Sequence, residues 1–305
     1  MANKPILLDG SGGSCMMDMI AKRGIQTLDP VWAFNMKYPD LVEELYRQYV
    51  ESGSEVILAN TFGANRLSVS HFSDYDPADV VREGVRIGRS VVDSTVVCGE
   101  GGTGPAAGKK AKLWLDIGAL TKLLKPAGRK DNPRWMSEEE CESIFAEQIG
   151  AGAEAGVDGI LLETFMDLRM MEIGVKVAGR YDVPVYCMMT YEKNHMTMMG
   201  NSIAQVIERL TPYEVAGIGM NCSLGPAESV GVIEEYRQLT DLPLLFKPNS
   251  GKPVIDAQGN STQPYSPEQF VEECRPAFEI VQYIGGCCGT SPAYIAALRK
   301  AIDEG

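Results

Sequence analysis

Eight short apolar runs, separated by stretches of helical period, constrain this chain more than any other feature. The runs fall at residues 6–8, 56–59, 113–115, 159–162, 185–189, 216–220, 244–246 and 281–284. Between them, Leu41, Val42, Leu45, Tyr46 and Tyr49 recur at helical spacing, as do Val80, Val81, Val85, Gly88 and Val92. Ser137-Glu138-Glu139-Glu140 is a capping box that opens a helix running through Glu154. Further helices are expected at 167–179, 202–210, 225–239, 267–275 and 292–303. Such alternation points to an α/β fold of the (β/α)8 TIM-barrel type, with a doubly wound open sheet as the alternative. No linker divides the 305 residues, so one domain over 1–305 is expected. Segments 10–35 and 99–135 are long for simple loops.

The formal charge of −13 and the lack of a basic cluster beyond Lys109-Lys110-Ala111-Lys112 argue against nucleic acid and anionic membranes as partners. No apolar run approaches the ~20 residues of a membrane helix. The N-terminus carries no apolar stretch of the secretory kind. Eight cysteines in such a chain read as reduced thiols of a cytoplasmic protein, not as a disulfide framework. Five of them, Cys15, Cys98, Cys141, Cys187 and Cys274, have no evident partner, and most read as packing residues, though Cys15 lies close to the first candidate loop.

The other three carry the chemistry. Cys287 and Cys288 lie in Gly285-Gly286-Cys287-Cys288-Gly289-Thr290, ahead of Ser291-Pro292, which marks a helix start. Cys222 follows Asn221. From spacing alone, buried filler and metal ligation both remain open. The ends of the candidate strands then add an argument, because barrel active sites gather there. After the eight runs come Asp9-Gly10, Asn60-Thr61, Asp116, Glu163-Thr164, Thr190, Asn221-Cys222, Asn249 and Cys287-Cys288. Packing does not require a polar group at every end. Strand ends six and eight would face each other across one mouth, which favours a three-thiolate zinc site with its fourth position open to a thiol. Three anionic ligands keep a bound sulfur electron-rich, which suits alkyl transfer better than hydrolysis. With only His71 and His195, a histidine-rich hydrolytic site is not supported.

An amino-acid substrate needs complementary groups. Glu163 or Asp9 would take an ammonium, and the backbone N–H groups of the Gly10-Ser11-Gly12-Gly13-Ser14 loop would take a carboxylate. A buried Glu163 demands a cation, either a ligand or an internal partner. Asn249 either offers an oxygen to the metal or simply forms the turn that Pro248-Asn249-Ser250-Gly251 favours. Gly99-Glu100-Gly101-Gly102-Thr103-Gly104 resembles a phosphate loop only superficially, because it lacks the Gly-Lys-Ser/Thr ending.

Read together, several motifs resemble the zinc-dependent homocysteine S-methyltransferase family. They are Leu8-Asp9-Gly10, Ala59-Asn60-Thr61-Phe62-Gly63, Asp158-Gly159-Ile160 with Leu162-Glu163-Thr164-Phe165, Met220-Asn221-Cys222-Ser223-Leu224-Gly225-Pro226, Pro248-Asn249-Ser250-Gly251-Lys252-Pro253, and the Cys287-Cys288 segment with Ser291-Pro292. The resemblance is greatest to the homocysteine-binding barrel of cobalamin-dependent methionine synthase. It implies zinc on Cys222, Cys287 and Cys288 and homocysteine as the thiol. Asp9, Gly10, Ser11, Gly12, Asn60, Thr61, Glu163, Asn221 and Asn249 are then the expected substrate contacts. Homocysteine would be methylated to methionine, with methylcobalamin or another methyl-corrinoid on a separate protein as the external donor. A small donor such as S-methylmethionine or a betaine, another acceptor thiol, and a non-catalytic zinc- or thiol-binding subunit are the alternatives. The chain departs from the family in Asp9-Gly10-Ser11-Gly12-Gly13-Ser14, which replaces its Asp-Gly-x-x-Gly-Thr loop, and in an apparent insertion at 99–111. No folate-, cobalamin- or activation-type module follows the barrel, so the donor is expected from outside.

Overall fold

The structure, a computed structural model, describes residues 4–97, 108–130, 132–251, 254–255, 261–262 and 264–304. Among these, eight strands build one parallel sheet: β1 (Ile6–Leu7), β2 (Val56–Leu58), β3 (Lys112–Gly118), β4 (Gly159–Phe165), β5 (Val185–Met189), β6 (Gly217–Asn221), β7 (Leu244–Lys247) and β8 (Tyr283–Ile284). Their order is β1-β8-β7-β6-β5-β4-β3-β2, and every neighbour pair is parallel. The ends meet where the Glu55 N–H donates to the Leu7 carbonyl at 2.7 Å, so the sheet curls into a nearly closed (β/α)8 barrel. The open-sheet alternative is thereby excluded.

Alternation along each strand sorts the side chains into two cores. Leu8, Val56, Leu58, Trp114, Leu161, Tyr186, Met188 and Leu245 point inward and fill the barrel. Trp114 stacks on Tyr186, with ring centroids 3.9 Å apart. The opposite faces meet the helices, where Leu113, Leu115, Ile160, Leu162 and Phe246 join a second, larger core.

The helices start where the sequence says they should. Ser137, Asp167, Ser202 and Ser266 each accept a first-turn N–H, and Ser202 and Ser266 complete capping boxes. Proline opens the helices at Pro77–Ser94, Pro226–Leu239 and Pro267–Cys274.

The segment at 10–35, long for a simple loop, is more than one. It holds a helix, Gly12–Lys22, capped by Ser11 and buried through Cys15, Met16 and Ile20. Its Gly- and Ser-rich first turn masks the helical period. In 99–135, Leu123–Leu124 pairs with Trp135–Met136 in a small ribbon. The phosphate-like loop, Cys98 and most of the apparent insertion lie outside the described residues. Among the described residues, no helix is long and apolar enough to cross a membrane.

Candidate functional site

Backbone geometry at the strand ends brings the three cysteines together. After β6, Cys222 and Ser223 both sit at φ 62°, a left-handed conformation uncommon outside glycine, and the Leu224 N–H returns to the Cys222 carbonyl at 2.7 Å. After β8, a Cβ on Gly285 would lie 2.6 Å from the Asp9 carbonyl, so glycine alone lets that strand end press against Asp9. Residues 248–250 are stitched between the two cysteine loops. Asn249 N–H donates to the Leu224 carbonyl at 3.0 Å, Ser250 N–H to the Cys288 carbonyl at 3.0 Å, and Cys287 N–H to the Pro248 carbonyl at 2.9 Å.

The three sulfurs consequently lie within 4.8 Å of one another, with Cys222 Sγ and Cys288 Sγ 3.8 Å apart. Tetrahedral zinc with bonds of ~2.3 Å sets thiolate sulfurs about 3.8 Å from each other, so the donor set fits that ion. Hydrogen bonds from Cys287 and Cys288 hold the Cys222 thiol down at about 2. The hydrogen bond with Cys222 in turn pushes Cys288 up to about 11 and Cys287 well above its ordinary value. Two thiols thus donate to one thiolate. The remaining described cysteines behave differently: burial pushes Cys141 up to about 12, and Cys15, Cys187 and Cys274 rise for the same reason.

A cavity of about 480 Å³ opens beside the sulfurs. Its polar floor consists of Asp9, Asp116, Glu163 and Lys247, each less than 10 % exposed. Strand alternation explains the grouping. Asp116, Glu163 and Lys247 stand two residues beyond Trp114, Leu161 and Leu245, one layer above the barrel's apolar filling. Lys247 Nζ lies 3.1 Å from Asp9 Oδ1 and 3.5 Å from Glu163 Oε2. Asp9 Oδ2 accepts the Leu58 N–H at 2.8 Å. Burial pulls the Lys247 ammonium down, but Asp9 and Glu163 outweigh it and hold it above its ordinary value. Burial, and then the Glu163 charge, push the Asp116 carboxyl well up. Burial also raises Glu163, against the pull of Lys247.

A family model described as homocysteine S-methyltransferase matches residues 6–302. The chain belongs to that family. It is 29% identical to "Methionine synthase" of Mycobacterium leprae over 99% of its length, and 29% identical to that of Mycobacterium tuberculosis over 92%. It spans about a quarter of those relatives, 24% and 23% respectively. Among solved structures, it resembles the homocysteine methyltransferase MmuM from Escherichia coli. The metallated form superposes with a TM-score of 0.74 at 22% identity, covering 98% of this chain and 96% of the other. The oxidized form gives 0.75 at 21% identity, with the same coverage. At such identity the likeness concerns the fold.

Within this family member, the structure sorts the expected contacts. Asp9, Gly10, Ser11, Gly12, Asn60, Glu163, Cys222, Cys287 and Cys288 all line the cavity. Thr61, Asn221 and Asn249 are not among its lining and have partners of their own. Thr61 is fully buried; its hydroxyl donates to the Asp116 carbonyl at 2.8 Å. Asn221 Oδ1 accepts the Thr164 N–H at 2.8 Å, and its Nδ2 donates to the Thr164 hydroxyl at 2.8 Å. Asn249 Oδ1 accepts the Cys288 N–H at 3.1 Å, so it braces the cysteine loop. Asn60 Nδ2 donates to the Val31 carbonyl at 2.9 Å. His195 pairs with Glu235 Oε2 at 2.7 Å, on the helix behind Cys222.

Sequence reasoning missed Lys247. It sits inside an apolar run, Leu244-Leu245-Phe246-Lys247, and reads as that strand's exposed end. The clue was the demand that a buried Glu163 be given a cation, which Lys247 meets from within.

Proposed function

We propose that this chain transfers a methyl group to the sulfur of homocysteine, giving methionine, and that Cys222, Cys287 and Cys288 hold zinc for the purpose. One observation carries the reading: three cysteine sulfurs flank a cavity whose floor is a buried carboxylate–ammonium cluster. Homocysteine has the two matching ends, a thiol and a zwitterionic head. Zinc on three thiolates would supply an open position that lowers the pKa of an incoming thiol. The protein's own groups do the rest. Asp9 and Glu163, fixed by Lys247, orient the ammonium. The helix beginning at Gly12 has first-turn N–H groups without intrahelical partners, suited to the carboxylate. Val31, Trp32, Leu58, Ala59 and Phe62 form apolar walls that exclude water. The thiol releases its proton to solvent, a sulfur lone pair forms the new C–S bond, and the donor keeps the electron pair of its broken bond to methyl.

The donor we favour is a methyl-corrinoid on a separate protein. Asn221-Cys222-Ser223-Leu224-Gly225-Pro226 most resembles the cobalamin-dependent branch, and the relatives named methionine synthase are 29% identical to this barrel. On this reading residues 1–305 form one homocysteine-binding barrel, working in the cytoplasm where thiols stay reduced.

The test measures zinc content and homocysteine-to-methionine conversion together, for wild type and Cys287→Ser, with methylcobalamin, S-methylmethionine or a betaine supplied. About one zinc per chain, with metal and turnover lost together in the variant, is expected. Turnover on S-methylmethionine alone would move the donor to a small sulfonium. Zinc without turnover on any donor would leave a thiol-binding subunit, and absence of zinc under reducing conditions would defeat the proposal.

A further inference from the structure

Carboxyl groups outnumber cations at the floor of the cavity. Three carboxylates, Asp9, Asp116 and Glu163, are each at least nine-tenths buried there. Lys247 is the cation among them, and its ammonium is directed at Asp9 and Glu163. Asp9 is satisfied on its other oxygen by the Leu58 N–H. Two carboxylate oxygens are left over: Asp116 Oδ1 and Glu163 Oε2 are both buried with no hydrogen-bond partner. Oε2 has only the 3.5 Å ion pair with Lys247. A buried acceptor without a donor is costly, and structures keep few of them.

The two residues belong to one subsite. They stand on neighbouring strands, β3 and β4, where Asp116 is in register with Leu161 and Gly118 with Glu163. Both carboxyls therefore project from the same inner face and line the same cavity. Asp116 is held on both sides of its backbone. The Thr61 hydroxyl donates to its carbonyl and accepts its N–H, at 2.8 and 3.2 Å.

We infer that Asp116 is a specificity residue that, together with Glu163, reads the primary ammonium of the acceptor's amino-acid head. This rests on the homocysteine reading above. A primary ammonium brings three N–H donors and one positive charge, which matches two donor-less oxygens and offsets the repulsion between neighbouring carboxyl groups. A thiol of the same length without the amino group leaves both oxygens unpaired, and a site built to hydrogen-bond a group rejects the analogue that lacks it. The ammonium takes no part in methyl transfer, so the selection acts on binding.

The experiment compares kcat/KM for homocysteine and for 4-mercaptobutanoate, the deaminated thiol, in wild type, Asp116→Asn and Asp116→Ser. The donor is whichever one supports the wild type. Zinc content and melting temperature report whether the site stays assembled. The preference for homocysteine should shrink about tenfold or more in both variants, the worth of one charge-assisted hydrogen bond, through KM rather than kcat. A preference ratio equal to that of wild type in both variants, with zinc retained, overturns the role of Asp116 and leaves the methyltransferase reading intact. A wild type that methylates neither thiol overturns the homocysteine reading and the ammonium subsite with it.

Discussion

Replacing Lys247 with methionine removes the buried ammonium and keeps most of the side-chain volume. Lys247 is 2% exposed, with Asp9 and Glu163 at 3.1 and 3.5 Å. At an effective dielectric of about 20, each contact is worth roughly 5 kcal/mol of attraction. Desolvating the ions offsets most of that, so the intact cluster adds little net stability. Removing one member is different, because the carboxylates stay buried and lose their counter-charge. The expected loss is about 3–5 kcal/mol, a large part of the ~5–15 kcal/mol typical of a domain. Urea unfolding of the metal-free, reduced protein measures it. Adding Glu163→Gln to Lys247→Met should recover on the order of 1–2 kcal/mol, since the neutral amide no longer needs the ammonium. A loss under about 1 kcal/mol, the worth of an exposed ion pair, would refute the reasoning. So would strictly additive effects in the double variant.

Asn221→Ala should orphan the Thr164 N–H, held at 2.8 Å by Asn221 Oδ1, and free the Cys287 sulfur that lies 3.7 Å from Asn221 Nδ2. A loss of about 1–3 kcal/mol in urea and a ~10–100-fold weaker zinc affinity in a chelator competition are expected. Asp116→Asn should show a pH-dependent gain in stability. Burial and Glu163 raise the Asp116 carboxyl, so above its ordinary value of 3.8 the folded state keeps a proton that the unfolded chain releases. Stability then falls as pH rises through that window. The urea midpoint of the variant relative to wild type should therefore climb as pH rises above about 4, the ordinary carboxyl range; a flat difference would count against it. Gly219→Ala places a Cβ 1.9 Å from the Leu245 carbonyl oxygen, which is backbone and cannot rotate away. The cost should exceed the ~1–3 kcal/mol of ordinary overpacking, and a melting temperature near wild type would contradict the close approach of β6 and β7.

How much of this was legible in the chain differs between the fold and the site. The barrel was legible because its determinants are local. Apolar runs of strand length, capping serines and Pro-initiated helices each announce themselves within a few residues, and all eight strand positions agree with the sheet to within a few residues. The cysteine trio was legible for a similar reason, since two strand ends sharing one mouth follows from topology once the strands are counted. The helix at Gly12–Lys22 was not, because Gly12, Gly13 and Ser14 blur its period and its stability comes from Cys15, Met16 and Ile20 packing against the barrel.

The electrostatics of the floor needed the tertiary structure. In sequence, Asp9, Asp116, Glu163 and Lys247 are four unrelated charges, the outermost 238 positions apart. Inward parity on separate strands places Asp116, Glu163 and Lys247 in one layer, and Asp9 joins them from the loop after β1, where burial makes each charge answer to the others. The same holds for Thr61, Asn221 and Asn249, which the family resemblance offered as substrate contacts. Their assignment as braces for Asp116, Thr164 and the Cys288 loop is decided by which hydrogen-bond partner the closed barrel brings within 3 Å or so. Strand and helix identities come from the backbone preferences of neighbouring residues, and the chain states those directly. Which polar groups satisfy one another depends on distances across the barrel, and only the closure of the sheet sets those.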